Sequence, residues 1–173
     1  MRRIVIAALL VSFLAAAASA TAAGPSEATY RKLCRSIKAP HVRALFTKAV
    51  APIQLGGSQD CAFFPKGGSA LVDGVRVFLR IDDGDKTLWS HIGDHPYGRF
   101  QTLAGVGQHA KWGYQFGHLP SVVDARTGTF TCTVIPSGTA ATYATTKGSN
   151  LAVARAYAVR LLALCGDVFA AYR

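Results

Sequence analysis

The side chains best suited to chemistry gather in one short stretch, His91-Ile92-Gly93-Asp94-His95. Residues four apart share a face of a helix, so His91 and His95 would offer two imidazoles to zinc or copper. Gly93 and the adjacent Pro96 work against an ordered helix there, and no Glu accompanies the pair as in H-E-x-x-H. Surface histidines beside a turn are therefore the expectation, with a His-based metal binder as an alternative. Asp82, Asp83 and Asp85 lack the alternating ligand spacing and distal Glu of a calcium loop, and are expected in a turn and a helix cap. Gly105 and Gly107 are not followed by G-K-[ST], so they make no phosphate loop. No G-x-S-x-G occurs, and Glu27 is the chain's single Glu, which restricts acid–base schemes to scattered Asp and His. Trp112, Tyr114 and Phe116, near His109 and His118, could line a cleft, but alternating aromatics on a strand are more often core. Catalysis is not expected, and no cofactor is expected; a small secreted hydrolase is the rival reading.

The remaining reactive residues are Cys34, Cys61, Cys132 and Cys165. They form neither a C-x2-C ligand pair nor a redox C-x-x-C. Four cysteines allow three pairings, of which Cys34–Cys61 with Cys132–Cys165 is expected. Cys34 lies on the apolar face of the first predicted helix and Cys61 opens a strand. Cys132 lies between Phe130 and Val134 on an apolar strand face, and Cys165 on the apolar face of the last helix.

Paired cysteines need an oxidising compartment, and the start of the chain agrees. Met1 to Arg3 form a basic segment, Ile4 to Leu14 a short apolar one, and Ala18-Ser19-Ala20 a small-x-small cleavage site. Residues 1–20 thus read as a signal peptide, with Ala20-Thr21-Ala22 a near-equal alternative that moves cleavage to as late as residue 23. The expected product is one exported domain over 24–173, periplasmic or secreted, with no transmembrane segment and no lipid-anchor cysteine. Its net charge falls from +10 to +8 as Arg2 and Arg3 depart. So basic a domain is drawn to anionic lipid, glycan or acidic protein faces; specific nucleic-acid binding is not expected. The charge concentrates on Arg31, Lys32, Arg35 and Lys38, extended by Arg43 and Lys48, a face suited to an anionic partner.

These residues need elements to hold them. Ser26 is placed to cap a helix with Glu27 in its first turn, and Tyr30, Leu33, Cys34 and Ile37 recur at helical spacing. Pro40 ends that helix or starts a second, in which Val42, Leu45, Phe46, Ala49 and Val50 form the apolar face up to Pro52. Strands are expected at Cys61–Phe64, Val75–Ile81, around Trp112 and Tyr114, and as a hairpin of Ser121–Arg126 and Thr129–Ile135 around Thr127-Gly128. A short helix is expected around Leu88, Trp89 and Ile92, and Pro136 to Gly148 as a polar, flexible loop. Ser149 or Asn150 caps the last helix, which Gly166 weakens or ends. Helices grouped at the ends and hairpin-like strands between them argue for an α+β domain with a mostly antiparallel sheet and helices on its faces.

A Cys on the first helix, a second helix, then Cys61-Ala62-Phe63-Phe64 opening a strand form a known arrangement. With the turn Leu103-Ala104-Gly105-Val106-Gly107-Gln108-His109-Ala110, the hairpin of Val122 to Val134 and an Ala-rich last helix, the chain resembles the Mog1/PsbP-like α/β/α sandwich. Within that fold it resembles especially the small exported bacterial proteins of unknown function such as the DUF3558 and LpqN-like lipoproteins. The resemblance implies a binding or scaffolding role in the cell envelope and supplies no catalytic residues.

Overall fold

A computed structural model of the chain describes residues 26–56, 60–69, 71–81, 99–115, 119–137 and 151–173. Helix α1 spans Glu27–Ser36. Ser26 caps it, its hydroxyl accepting from the Thr29 N–H at 3.3 Å, and Glu27 sits where the helix dipole favours a carboxylate. Tyr30, Leu33 and Cys34 are buried along one stripe. Pro40 falls in the first turn of the next helix, α2, Ala39–Arg43, a position where its missing N–H costs nothing.

Helix α2 is shorter than the apolar pattern predicts. Beyond Arg43 the chain turns, burying Leu45, and then runs extended. Val50 bridges Pro65, Ala51 N–H donates to Phe64 C=O at 3.0 Å, and Lys66 N–H donates to Ala49 C=O at 2.7 Å. Ala49 and Val50 are apolar at a spacing that serves either period, and backbone pairing with residues 64–66 decides the matter.

Seven antiparallel strands follow: β1 Gln54–Gly56, β2 Asp60–Phe63, β3 Val75–Ile81, β4 Arg99–Leu103, β5 His109–Gln115, β6 Leu119–Thr127 and β7 Phe130–Pro136. Strands β1 and β4 lie outside the predicted set. The β6–β7 turn is Gly128-Thr129, one residue later than expected, with Thr127 paired to Phe130 and Gly128 at φ +58°. The sheet order is β1-β2-β3-β7-β6-β5-β4. Two meanders are thus joined by one long-range pairing, β3 with β7, in the register Val77↔Val134 and Leu79↔Cys132.

Because side chains alternate along a strand, this register puts Cys61, Val75, Val77, Leu79, Cys132, Val134, Val123 and Trp112 on one face. All of them are buried. The described helices pack on that face. The last one, α3 (Leu151–Tyr172), contributes Ala154, Tyr157, Ala158, Leu161, Leu162, Leu164, Cys165, Val168 and Phe169 to the same core. It runs unbroken through Gly166, whose Cα sits where Val106 packs; an added Cβ would lie 3.5 Å from Val106 Cγ2. The domain is therefore α+β, with an antiparallel sheet and two disulfides, Cys34–Cys61 and Cys132–Cys165. The first ties α1 to β2, and the second ties α3 to β7.

No described helix is long and apolar enough to cross a membrane. The expected signal peptide, the Leu88–Ile92 helix, most of the 136–148 loop and the Ser149/Asn150 cap lie outside the described residues.

Candidate functional site: a basic helical face beside an apolar groove

The four basic residues singled out on the first helix divide into two groups. Arg31 turns back along α1 and is held by Glu27, with Nη2 and Nε at 2.6 and 3.0 Å from Oε1. This is an i,i+4 pair between exposed groups, worth only a few tenths of a kcal/mol. Lys38 is not on α1; it is the N-cap residue of α2. Its ammonium lies 3.4 Å from Asp167 Oδ1. Lys32 and Arg35 are exposed and make no ion pair or hydrogen bond among the described residues, and the same holds for Arg43 at the end of α2. Ala28, Arg31, Lys32, Arg35 and Ser36 line a shallow depression of about 470 Å³ on this surface.

Arg35 also lines a second concavity, a groove of about 290 Å³. Its floor and walls are Cys34, Ile37, Ala39, Val42, Val50, Ala51, Ile53 and Phe63, with Arg43 as the other charged lining residue. Three connections build it. The Cys34–Cys61 disulfide holds the end of α1 against β2. The early stop of α2 places Arg43 at the rim. The extended 49–51 segment, bonded to residues 64–66, forms the far wall.

Asp167 anchors the start of α2 to α3. This carboxylate sits on α3, almost fully buried, and accepts from the Lys38 backbone N–H at 2.9 Å. It lies 2.7 Å from His41 Nδ1. It therefore takes the N–H of the N-cap residue itself, the donor that a capping-box carboxylate at the third helical position would otherwise take. A buried carboxylate so placed is satisfied by one backbone donor and two side chains. Sequence reading passed over His41 because its partner is 126 residues away. The available signal was Asp167 itself, an acid in the apolar run from Leu161 to Phe169.

The sheet face away from the helices mixes polar side chains with apolar ones such as Ala62, Phe78 and Ile135. Arg76 donates to Asp60 Oδ2 through Nη2 at 2.6 Å and Nε at 3.1 Å, and its guanidinium stacks over Phe78. Asp124 is fully buried, opposite Thr133 on one side and Lys111 on the other. Thr133 donates to its Oδ1 at 2.6 Å. Its Oδ2 has no hydrogen-bond partner among the described residues. Burial pushes the Asp124 carboxyl up to about 6, against the opposing pull of the Thr133 hydroxyl and the Lys111 charge. Burial likewise lowers the Lys111 ammonium.

Of the other candidate residues, Trp112 is fully buried on the helix-facing side, as a core residue and not a cleft wall. His109 is exposed on β5. His91, His95, Asp82, Asp83, Asp85, Phe116 and His118 lie outside the described residues. Among the described residues, no three of His, Cys, Asp and Glu come together as a metal site. Ser36 is held by the Leu33 carbonyl at 2.6 Å. The arrangement can attract, orient and partly desolvate an anion. No family model, curated protein or solved structure matches this chain.

Proposed function

We propose that this chain is an exported, non-enzymatic binding protein of the cell envelope, periplasmic or secreted, that docks on an anionic envelope component through the α1–α2 face. One observation carries the proposal: Lys32, Arg35 and Arg43 are exposed together on the helical layer with no acidic partner among the described residues. Cations that stabilise nothing inside the molecule remain available to a ligand. The two disulfides support an oxidising compartment. The likeness to Mog1/PsbP-like proteins belongs to the same proposal, resting on the residue pattern alone.

The test is sedimentation with phosphatidylcholine vesicles containing or lacking phosphatidylglycerol. Each Lys or Arg near an anionic surface contributes about 1 kcal/mol. The combined variant Lys32→Gln, Arg35→Gln, Arg43→Gln should therefore bind anionic vesicles roughly 100-fold more weakly at equal fold stability. Binding should also fall steeply with salt. Equal binding to the two vesicle types, or a variant that binds as the parent does, would refute the proposal.

A further inference from the structure

We infer that the groove between α1, α2 and the 50–53 segment is the seat of a single-chain anionic amphiphile, its chain in the groove and its head group between Arg35 and Arg43. The inference rests on the reading of this face as an anion-binding surface and names the ligand's chemical class.

The lining gives the chemistry of the two ends. Ile37, Val42, Val50, Ile53 and Phe63 present hydrocarbon. Among the described residues Arg35 and Arg43 are the only charged ones lining the groove, no carboxylate joins them, and neither has a partner. Two guanidiniums beside an apolar trough select an anion over a neutral or cationic amphiphile, since planar donors match carboxylate or phosphate oxygens. The size also selects. The groove's 290 Å³ stands at the low end of ligand pockets. At about 30 Å³ per heavy atom it holds roughly ten, which suits one short chain and not the two chains of a bilayer phospholipid.

The walls are in place before any ligand arrives. One is stapled by Cys34–Cys61, and the other is hydrogen-bonded through Ala49 and Ala51 to the Lys66 and Phe64 backbone. Binding then costs little ordering of the protein. The disulfide also explains why the trough stays open: α1 cannot slide toward the 50–53 segment without carrying β2 with it.

The test is calorimetry of the purified, oxidised protein with alkyl phosphates below their micelle concentrations. Decyl phosphate should bind at least 10-fold more tightly than inorganic phosphate, decanol or decyltrimethylammonium. From hexyl to decyl phosphate each methylene should tighten binding by up to about fourfold. Decanoate, run in parallel, tells a carboxylate head group from a phosphate one. Ala51→Trp fills the trough from a half-exposed position; it should abolish decyl phosphate binding while leaving binding to phosphatidylglycerol vesicles intact. Arg35→Gln with Arg43→Gln should weaken decyl phosphate at least 10-fold and leave decanol unchanged. No dependence on chain length, equal binding of the cationic amphiphile, or an Ala51→Trp protein that melts normally and still binds decyl phosphate would each overturn the inference. If anionic vesicles bind and decyl phosphate does not, the groove inference fails and the surface reading stands. If decyl phosphate binds and anionic vesicles do not, the surface reading fails.

Discussion

Replacing Asp124 with asparagine should change how the stability of this domain depends on pH. The parent carboxyl is buried against Thr133, with Oδ2 lacking a hydrogen bond among the described residues, and burial pushes it from the ordinary 3.8 up to about 6. A carboxyl raised in the folded state binds its proton more tightly folded than unfolded. Between pH 4 and pH 6 the unfolded chain has lost this proton while the folded chain keeps it, so stability falls as pH rises. At about 1.4 kcal/mol per pH unit, the full difference is about 3 kcal/mol, of which about 2 to 2.5 kcal/mol falls between pH 4 and pH 7. Asparagine has no charge to bury. Whatever the substitution costs through altered hydrogen bonding is the same at both pH values. Urea unfolding followed by the fluorescence of buried Trp112 would be run on both proteins at pH 4 and pH 7. The stability of the variant relative to the parent should improve by about 2 kcal/mol on going to pH 7. A relative stability that stays constant, or moves the other way, would show that Asp124 is ionised at little cost and that this face of the sheet is better solvated than its burial implies.

Asp167→Ala removes the acceptor for the Lys38 N–H and leaves His41 and Lys38 without their carboxylate. Loss of a charged acceptor to a backbone donor should cost about 1.5–3 kcal/mol in chemical denaturation. Asp167→Asn, which keeps an oxygen for that N–H, should cost less, and equal losses in both variants would argue against the anchoring role. Gly107→Ala should be much worse than Gly128→Ala. Both glycines have positive φ, but a Cβ at 107 would meet the Arg126 carbonyl oxygen at 2.5 Å and the Phe169 ring at 2.9 Å, whereas one at 128 meets nothing. About 1–2 kcal/mol is expected at 128 from backbone strain alone, and a clearly larger loss of thermal stability at 107; similar losses would contradict the close packing of the 105–107 turn on β6 and α3.

The residues explain which features could be read from the chain alone. Ser26, Glu27 and the 30-33-34-37 spacing act within one or two turns of backbone, so α1 was legible together with its cap. The alternation Val75-Val77-Leu79 and the hairpin around Gly128 are equally local. The disulfide pairing followed because each cysteine's face could be assigned before any distance was known. Strand β1 escaped because three residues, Gln54 to Gly56, carry too little periodicity, and α2 was overextended because its apolar residues suit two periods. The basic face was legible as a cluster of like charges. Arg31 and Lys38 had to be separated from Lys32 and Arg35 by geometry, since engagement depends on where Glu27 and Asp167 point.

By itself, then, the sequence determined the class of fold, the disulfide framework, the core stripes and the excess of positive charge. These follow from short-range periodicity, capping and composition. Tertiary structure alone decided that β3 pairs with β7, that Asp167 anchors the start of α2 from 129 residues away, that Asp124 is buried with a raised pKa, and that two arginines flank an apolar groove. Each of these depends on segments distant in the chain meeting in one register. That register is chosen by burying the whole helix-facing side of the sheet at once, a cooperative requirement that no local window of sequence contains.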